Sequence, residues 1–282
     1  MTEAGKPLAG RTMIMSGGSR GIGLEIAKRA AADGANITLI AKTDQPHPKL
    51  PGTIHTAAAE LEAAGGQVLK FVGDVRDDEG VAEAVRQTVE RFGGIDIVVN
   101  NASAIDLSPT ETLSMKKYDL MQDINCRGSF LLSKTSIPAL KESAEAGRNP
   151  HILTLSPPLN LDPKWAGSSL GYTIAKYGMS LTTLGLAEEL RKYGIGVNSL
   201  WPRTTIATAA VRNLLGGEEM VQTSRTPDIY ADAAYLVLTS PAKDTTGNFF
   251  IDDEVLNAHG ITDLDKYRVV PGDGPLTTDL FL

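Results

Sequence analysis

The sequence predicts an α/β fold, a doubly wound parallel sheet of about seven strands with helices on both faces. Three observations predict it. Short β-branched, apolar runs alternate with longer stretches of helical periodicity along the chain. A glycine-rich turn joins the first apolar run to the first helical stretch. Residues 95–99 are apolar apart from Asp96, as expected of a strand buried on both faces.

The elements follow in order. The first strand is expected over residues 12–15 and the first helix over 22–32. Strands are expected at 37–40 and 68–72, then a helix at 79–92 and the buried strand at 95–99. A long helix is expected over 115–140, with Pro138 close to its end because proline lacks the N–H that continuation needs. The fifth strand is placed at 151–155, a second long helix at 172–193, and the last two strands at 197–200 and 248–251. The proline-rich loops 42–52 and 156–171 are long for a compact domain, and such loops are usually functional or disordered. The stretch 252–282 has little periodicity and is expected to pack as an extension on the domain or on a neighbouring subunit. No internal repeat divides residues 1–282, which read as one domain.

Composition narrows the function. Hydrophobic residues make up 42% of the 282 and charged residues 22%, which suits a soluble globular protein with a substantial core. The net charge is -7 and no basic cluster exists, so no nucleic-acid partner is expected. The single cysteine, Cys126, cannot pair within the chain, which fits a reducing compartment. The first residues lack the apolar core of a signal peptide, and no run of about twenty apolar residues is present to span a membrane. A cytoplasmic protein is expected. His47, His55, His151 and His259 are scattered without metal-ligand spacing, so no metal is expected. Asp252, Asp253 and Glu254 read as a solvated turn.

The chemistry starts at Ser16-Gly17-Gly18-Ser19-Arg20-Gly21-Ile22-Gly23, between the first strand and the first helix. Glycines let the backbone approach a pyrophosphate, and a helix N-terminus offers free N–H groups with partial positive charge. The second strand ends Ile40-Ala41-Lys42-Thr43, with no carboxylate placed to take a ribose 2′-hydroxyl; Asp44 comes later, in the loop. Lys42 offers a point charge for a 2′-phosphate, and Arg20 lies where similar NADP enzymes often place a second cation, so NADP(H) is the expected cofactor. The plainer reading of both is a pair of solvated surface charges.

Tyr172-Thr173-Ile174-Ala175-Lys176 is the most informative stretch. Residues four apart on a helix share a face. A free phenol has a pKa of about 10, so a tyrosine acting as a base near neutrality needs strong acidification. A nearby ammonium and an oxidised nicotinamide ring would supply it. Tyr172 would then take the proton of an alcohol as hydride leaves, or return it to a forming alkoxide. Taken alone, the same pair also reads as one face of an amphipathic helix.

Together these motifs resemble the short-chain dehydrogenase/reductase family. The turn is similar to that family's T-G-x-x-x-G-x-G, with Ser16 for Thr and with Gly17, Gly21 and Gly23 as its glycines. Asp74-Val75 resembles its D-V pair, whose Asp accepts from the adenine amino group. Asn100-Asn101-Ala102-Ser103 resembles its N-N-A-G, and Tyr172 with Lys176 matches its catalytic pair. The resemblance implies that Ser16, Gly17, Ser19, Arg20, Gly21, Ile22 and Gly23 line the cofactor. It adds Lys42, Asp74, Val75, Asn101, Ala102, Tyr172 and Lys176, and after the sixth strand Pro202, Thr205 and Ile206. Lys176 would hold the nicotinamide ribose hydroxyls. Asn125 matches the family Asn that holds a proton-relaying water; otherwise it is a polar kink residue. Family members form dimers or tetramers through their two long helices, which implies a homodimer or homotetramer.

Two departures stand out. The family places a Ser about thirteen residues before the Tyr to bind the substrate oxygen. Here Leu159 has that place. Ser156, at the strand end, is the chosen replacement, with Ser168, Ser169 or no Ser at all as alternatives. After the sixth strand the family's P-G is replaced by Trp201-Pro202-Arg203-Thr204-Thr205-Ile206, where the backbone of Thr205 and Ile206 could hold the nicotinamide amide and Arg203 has no assigned role.

The runs SPPLNL, YTIAKYGMS and WPRT are similar to the hydroxysteroid dehydrogenase-like branch, which implies a lipid-like substrate. Animal members of that branch carry an added sterol-carrier domain that these residues do not show, so localisation is not transferred from them. Leu159, Leu161, Trp165, Trp201 and Leu214 could line an apolar pocket, or simply pack the core. Two other functions stay open: a cofactor-binding regulatory or scaffold protein with little turnover, and a lyase or epimerase on the same fold.

Overall fold

The structure is a computed structural model and describes residues 5–46 and 51–282. Of the features expected above, His47 and part of the 42–52 loop lie outside the described residues.

Seven strands form one parallel sheet, a Rossmann-type arrangement. They are β1 (Thr12–Ser16), β2 (Asn36–Ala41), β3 (Gln67–Val72), β4 (Ile97–Asn100), β5 (His151–Thr154), β6 (Gly196–Trp201) and β7 (Phe249–Ile251). Their order is β3-β2-β1-β4-β5-β6-β7. The chain winds outward in opposite directions from β1 and β4, so the crossovers part there and leave a crevice at the C-terminal strand ends.

The helices complete two outer layers. In chain order they are α1 (Gly21–Ala31), α2 (Ile54–Ala63), α3 (Asp78–Phe92), α4 (Met115–Met121), α5 (Gly128–Glu145), α6 (Pro163–Ser168), α7 (Leu170–Leu190), α8 (Gly217–Gln222), α9 (Asp228–Thr239) and α10 (Asp252–Ala258). A π-helical turn, Gln122–Arg127, joins α4 to α5. All five residues of β1 are buried because both faces are covered. Met13 and Met15 pack with Ile26, Ala57 and Ala234 of α1, α2 and α9 on one side. Ile14 packs with Val85, Leu132 and Leu186 of α3, α5 and α7 on the other. The split follows the two-residue repeat of a strand.

Three expectations need correction. The long helix runs through Pro138 and on to Glu145. The single N–H lost there is outweighed by burial of Leu140 and Ser143 beyond it. The loop 156–171 is not structureless, since α6 lies inside it with Pro163 at its start, where a missing N–H costs nothing. Asp252, Asp253 and Glu254 are the first turn of α10, where negative charge is favoured. Asp252 is fully buried and accepts from the Arg203 N–H at 2.8 Å, while the Arg203 guanidinium pairs with Asp253 at 3.1 Å and with Glu254. That pairing is the structural role of Arg203.

Candidate active site

The glycine turn sits at the parting of the crossovers. Gly17 and Gly21 have φ of 75° and 57°, a region that side-chain-bearing residues avoid. A Cβ at Gly17 would lie 2.9 Å from the Ala102 Cα, and one at Gly23 would lie 2.5 Å from the Asn101 Nδ2. The turn is therefore pressed against the chain leaving β4. Ser16 Oγ accepts from the N–H groups of Asn101 and Ala102 at 3.2 and 3.1 Å. Asn101 Nδ2 returns bonds to the carbonyls of Ser16 and Gly17 at 3.0 and 2.8 Å. Ser16 and Asn101 thus strap the turn in place.

No side chain caps α1, whose N-cap is Arg20. The first N–H groups of that helix face the turn without a capping oxygen, as a phosphate-binding helix requires. Ser19 is buried within the turn. Ile22, in the first turn of α1, packs toward the core, and Val75 packs toward α3 and α5. The cradle fits a dinucleotide phosphate.

The far end of the crevice holds an ion-pair set. Lys42 Nζ lies 3.1 Å from Asp74 Oδ2, and the Arg76 Nη2 lies 2.6 Å from the same oxygen. Hydrogen bonds from Arg76, and more weakly from Lys42, hold the Asp74 carboxyl well below the usual carboxylate range despite partial burial. Lys42 and Asp74, expected to act separately, are thus partners. Arg20 Nη2 donates to the Gly52 carbonyl at 3.0 Å. Sequence reasoning missed Arg76. Its position directly after Asp74-Val75 was the available signal.

Helix α7 carries Tyr172 and Lys176, both buried. Lys176 Nζ donates to the Leu155 carbonyl at 2.9 Å, at the end of β5. It also lies 5.2 Å from the centre of the Trp201 ring. Burial pushes the Lys176 amine down to about 7, partly offset by the nearby Asp279 carboxylate. Burial, with a smaller push from Asp279, raises the Tyr172 phenol above its ordinary value. The expected acidification is therefore absent from the chain's own groups, because desolvation exceeds the field of an amine that is itself half-neutral. The protein by itself holds the phenol protonated.

The Lys176 shift gives a stability test. Its folded pKa of about 7 lies below the ordinary lysine value of about 10.4, so the unfolded chain binds more protons between those limits. The amine therefore weakens the fold below about pH 7 and ceases to do so as pH rises toward 10.4. Lys176→Met is expected to unfold at higher urea than the wild type at pH 7, with the gap closing by pH 10. A constant gap across that range would reject the assigned shift.

Asn125 lies fully buried in the π turn. Its Oδ1 accepts from the Ala104 N–H at 2.7 Å and its Nδ2 donates to the Ala104 carbonyl at 2.9 Å. The side chain fixes the segment after β4, and π turns occur where helices adjust around a site. Ser156 is fully buried, with its Oγ 2.8 Å from Ser199 Oγ, which bonds Thr183 Oγ1 at 2.8 Å. That hydroxyl is engaged between β5, β6 and α7. Ser168 Oγ donates to the Trp165 carbonyl at 2.9 Å, and Ser169 caps α7 through its carbonyl, which accepts from Thr173. Pro202 is buried after β6. The Thr205 N–H, expected to meet the nicotinamide amide, donates instead to the Thr277 carbonyl at 2.9 Å; Ile206 is buried beside it.

The main surprise is the segment 277–282. Thr278 bridges Thr204, the Asp279 N–H donates to the Arg203 carbonyl at 3.1 Å, and Trp201 Nε1 donates to the Leu280 carbonyl at 2.8 Å. Phe281 follows, only 2% exposed. Its ring centre lies 5.8 Å from Trp165, 6.3 Å from Tyr172, 5.4 Å from Tyr177 and 5.9 Å from Trp201. Its φ of 73° costs about 1–3 kcal/mol for a non-glycine residue. Of the expected apolar pocket residues, Trp165 and Trp201 flank this ring, whereas Leu161 and Leu214 are 83% and 64% exposed.

The phosphate cradle thus lies where the sheet's crossovers part, and the buried Tyr-Lys pair lies on α7 against the end of β5. That combination defines the Rossmann-type oxidoreductases. Within them the chain belongs to the short-chain dehydrogenase family: the family model described as short chain dehydrogenase matches residues 11–218. The chain is 57% identical to hydroxysteroid dehydrogenase-like protein 2 of Xenopus tropicalis over 275 residues, which is 98% of this chain and 64% of that protein. It therefore spans less than two thirds of the length of that curated relative. A crystal structure of a putative dehydrogenase from Xanthomonas campestris is 53% identical with a TM-score of 0.93, covering 98% of both chains. A short chain dehydrogenase from Mycobacterium thermoresistibile is 58% identical with a TM-score of 0.90, covering 98% of this chain and 96% of that one. Among the described residues, no cluster of three or more potential ligands suits a metal ion, and no helix is long and apolar enough to cross a membrane.

Proposed function

We propose that this chain is an NADP(H)-dependent oxidoreductase that interconverts an alcohol and a carbonyl on an apolar, lipid-like substrate. The observation that carries the reading is the buried Tyr172–Lys176 pair at the end of the glycine-cradled crevice, roofed by aromatic rings. When bound, the nicotinamide supplies or accepts hydride. The chain's residues handle the proton. Tyr172 donates it to a forming alkoxide, a direction favoured by its raised pKa, and takes it back in oxidation. Lys176 titrates near neutrality and can reprotonate the site. Asn125 holds the loop that borders it.

The preference for NADP(H) rests on three cations, Arg20, Lys42 and Arg76, around a strand end that lacks the NAD-selecting carboxylate. NADPH is expected to exceed NADH in kcat/KM by at least about tenfold. Lys42→Ala is expected to raise KM for NADPH about tenfold and leave that for NADH nearly unchanged. A wild-type preference for NADH would reject the assignment.

A second reading, a cofactor-binding regulatory protein with little turnover, draws on Ser156, whose hydroxyl is engaged by Ser199. Tight NADPH binding without turnover of any apolar ketone, aldehyde or alcohol would favour it. Homodimer or homotetramer formation is supported by half-exposed Phe130, Ile174, Leu181 and Leu184 on α5 and α7. A cytoplasmic location is part of the same reading.

A further inference from the structure

We propose that the segment 277–282 forms a wall of the substrate cavity and that Phe281 sets the size of the apolar group admitted beside Tyr172. This rests on the oxidoreductase reading above. Tyr172 and Phe281 are 5% and 2% exposed, so the Phe281 ring fills the space beside the phenol that the carbon chain of a substrate must share. The two rings are stacked with their planes 30° apart.

The wall is anchored from several sides. Thr277 bonds Thr223 and Thr205, Asp279 bonds the Arg203 carbonyl, Leu280 takes the Trp201 indole N–H, and the Phe281 carbonyl accepts from Asn160 Nδ2 at 3.1 Å. Trp201 also covers Lys176, so the wall and the catalytic pair share one side chain. The left-handed backbone at Phe281 is strained for a side-chain-bearing residue, and the surrounding anchors hold it there. Beyond the ring, Ile105, Leu107, Leu113 and Met121 continue the apolar lining. The fitting ligand is an apolar alcohol or carbonyl whose length along this wall is limited by the Phe281 ring.

The chain has two tryptophans, and both lie against Phe281, so their emission reports on occupancy of this cavity without any turnover. The test titrates the full chain with straight-chain primary alcohols from butanol to dodecanol, with and without NADPH, and reads tryptophan fluorescence. The wild type is expected to bind more tightly as the chain lengthens up to a limit and then more weakly. Phe281→Ala is expected to move that limit to longer alcohols and tighten the longest by at least about tenfold. Phe281→Leu should lie between them, and it carries the test if the alanine variant does not fold. An unchanged length profile in variants that still bind NADPH overturns the wall, as does a wild type whose fluorescence ignores every alcohol. A shifted profile with no oxidation of any alcohol leaves the wall standing and rejects the oxidoreductase reading instead.

Discussion

Tyr172→Phe is expected to lower kcat by about 10²- to 10⁴-fold while leaving NADPH affinity within about twofold of wild type. The substitution removes one oxygen and keeps the ring that stacks on Phe281 and packs beside Met121 and Trp201. Stability should therefore change little. On the proposed reading, what is lost is the proton that Tyr172 holds near the substrate oxygen. Its environment favours the protonated form, through burial first and the Asp279 charge second. In the proposed mechanism Lys176 restores the site's proton but does not replace the phenol at the substrate oxygen, because its Nζ is directed to the Leu155 carbonyl. Stopped-flow reduction of an apolar aldehyde by NADPH, with cofactor affinity measured in parallel, separates the two effects. Wild-type kcat in the phenylalanine variant would remove Tyr172 from the chemistry.

Gly17→Val is the second large effect, with loss of NADPH binding by at least about a hundredfold. Two causes act together. At φ 75° a β-branched residue meets its own backbone. Its Cβ would also lie 2.9 Å from the Ala102 Cα, which is backbone and cannot swing aside. The turn must then move off the Asn101 strap, and the N–H groups of α1 lose their common aim. Gly10→Ala is the control. Gly10 also has a positive φ of 66°, but nothing lies within 4 Å of a Cβ there. It should cost stability without weakening NADPH binding, measured by nucleotide fluorescence and thermal unfolding. Equal binding losses in both variants would show that Gly17 acts through global stability alone.

The parts legible in the sequence share a physical character. Strands β1, β2, β4, β5 and β6 are buried throughout and so carry largely apolar runs, whereas β3 and β7 are partly exposed, and the family was visible in short motifs along the chain. Some helices were not. Helix α2 is alanine-rich and α9 alternates weakly between polar and apolar, so neither shows the contrast that reveals a helix face. The end of α5 was misplaced because proline is a local signal and the burial of Leu140 is a tertiary one.

Residue chemistry and spacing by themselves determined the sheet, the glycine cradle and the placing of Tyr172 and Lys176 on one helix face, since each depends on neighbours a few residues away. Only the folded chain decided the rest. It turned Ser156 toward Ser199, joined Lys42 and Arg76 to Asp74, and brought Asp279 and Phe281 onto a tyrosine more than a hundred residues earlier. The reason is that desolvation and long-range contact have no signature in local spacing. They set which hydroxyl is free, which charge is answered and which ring covers the site.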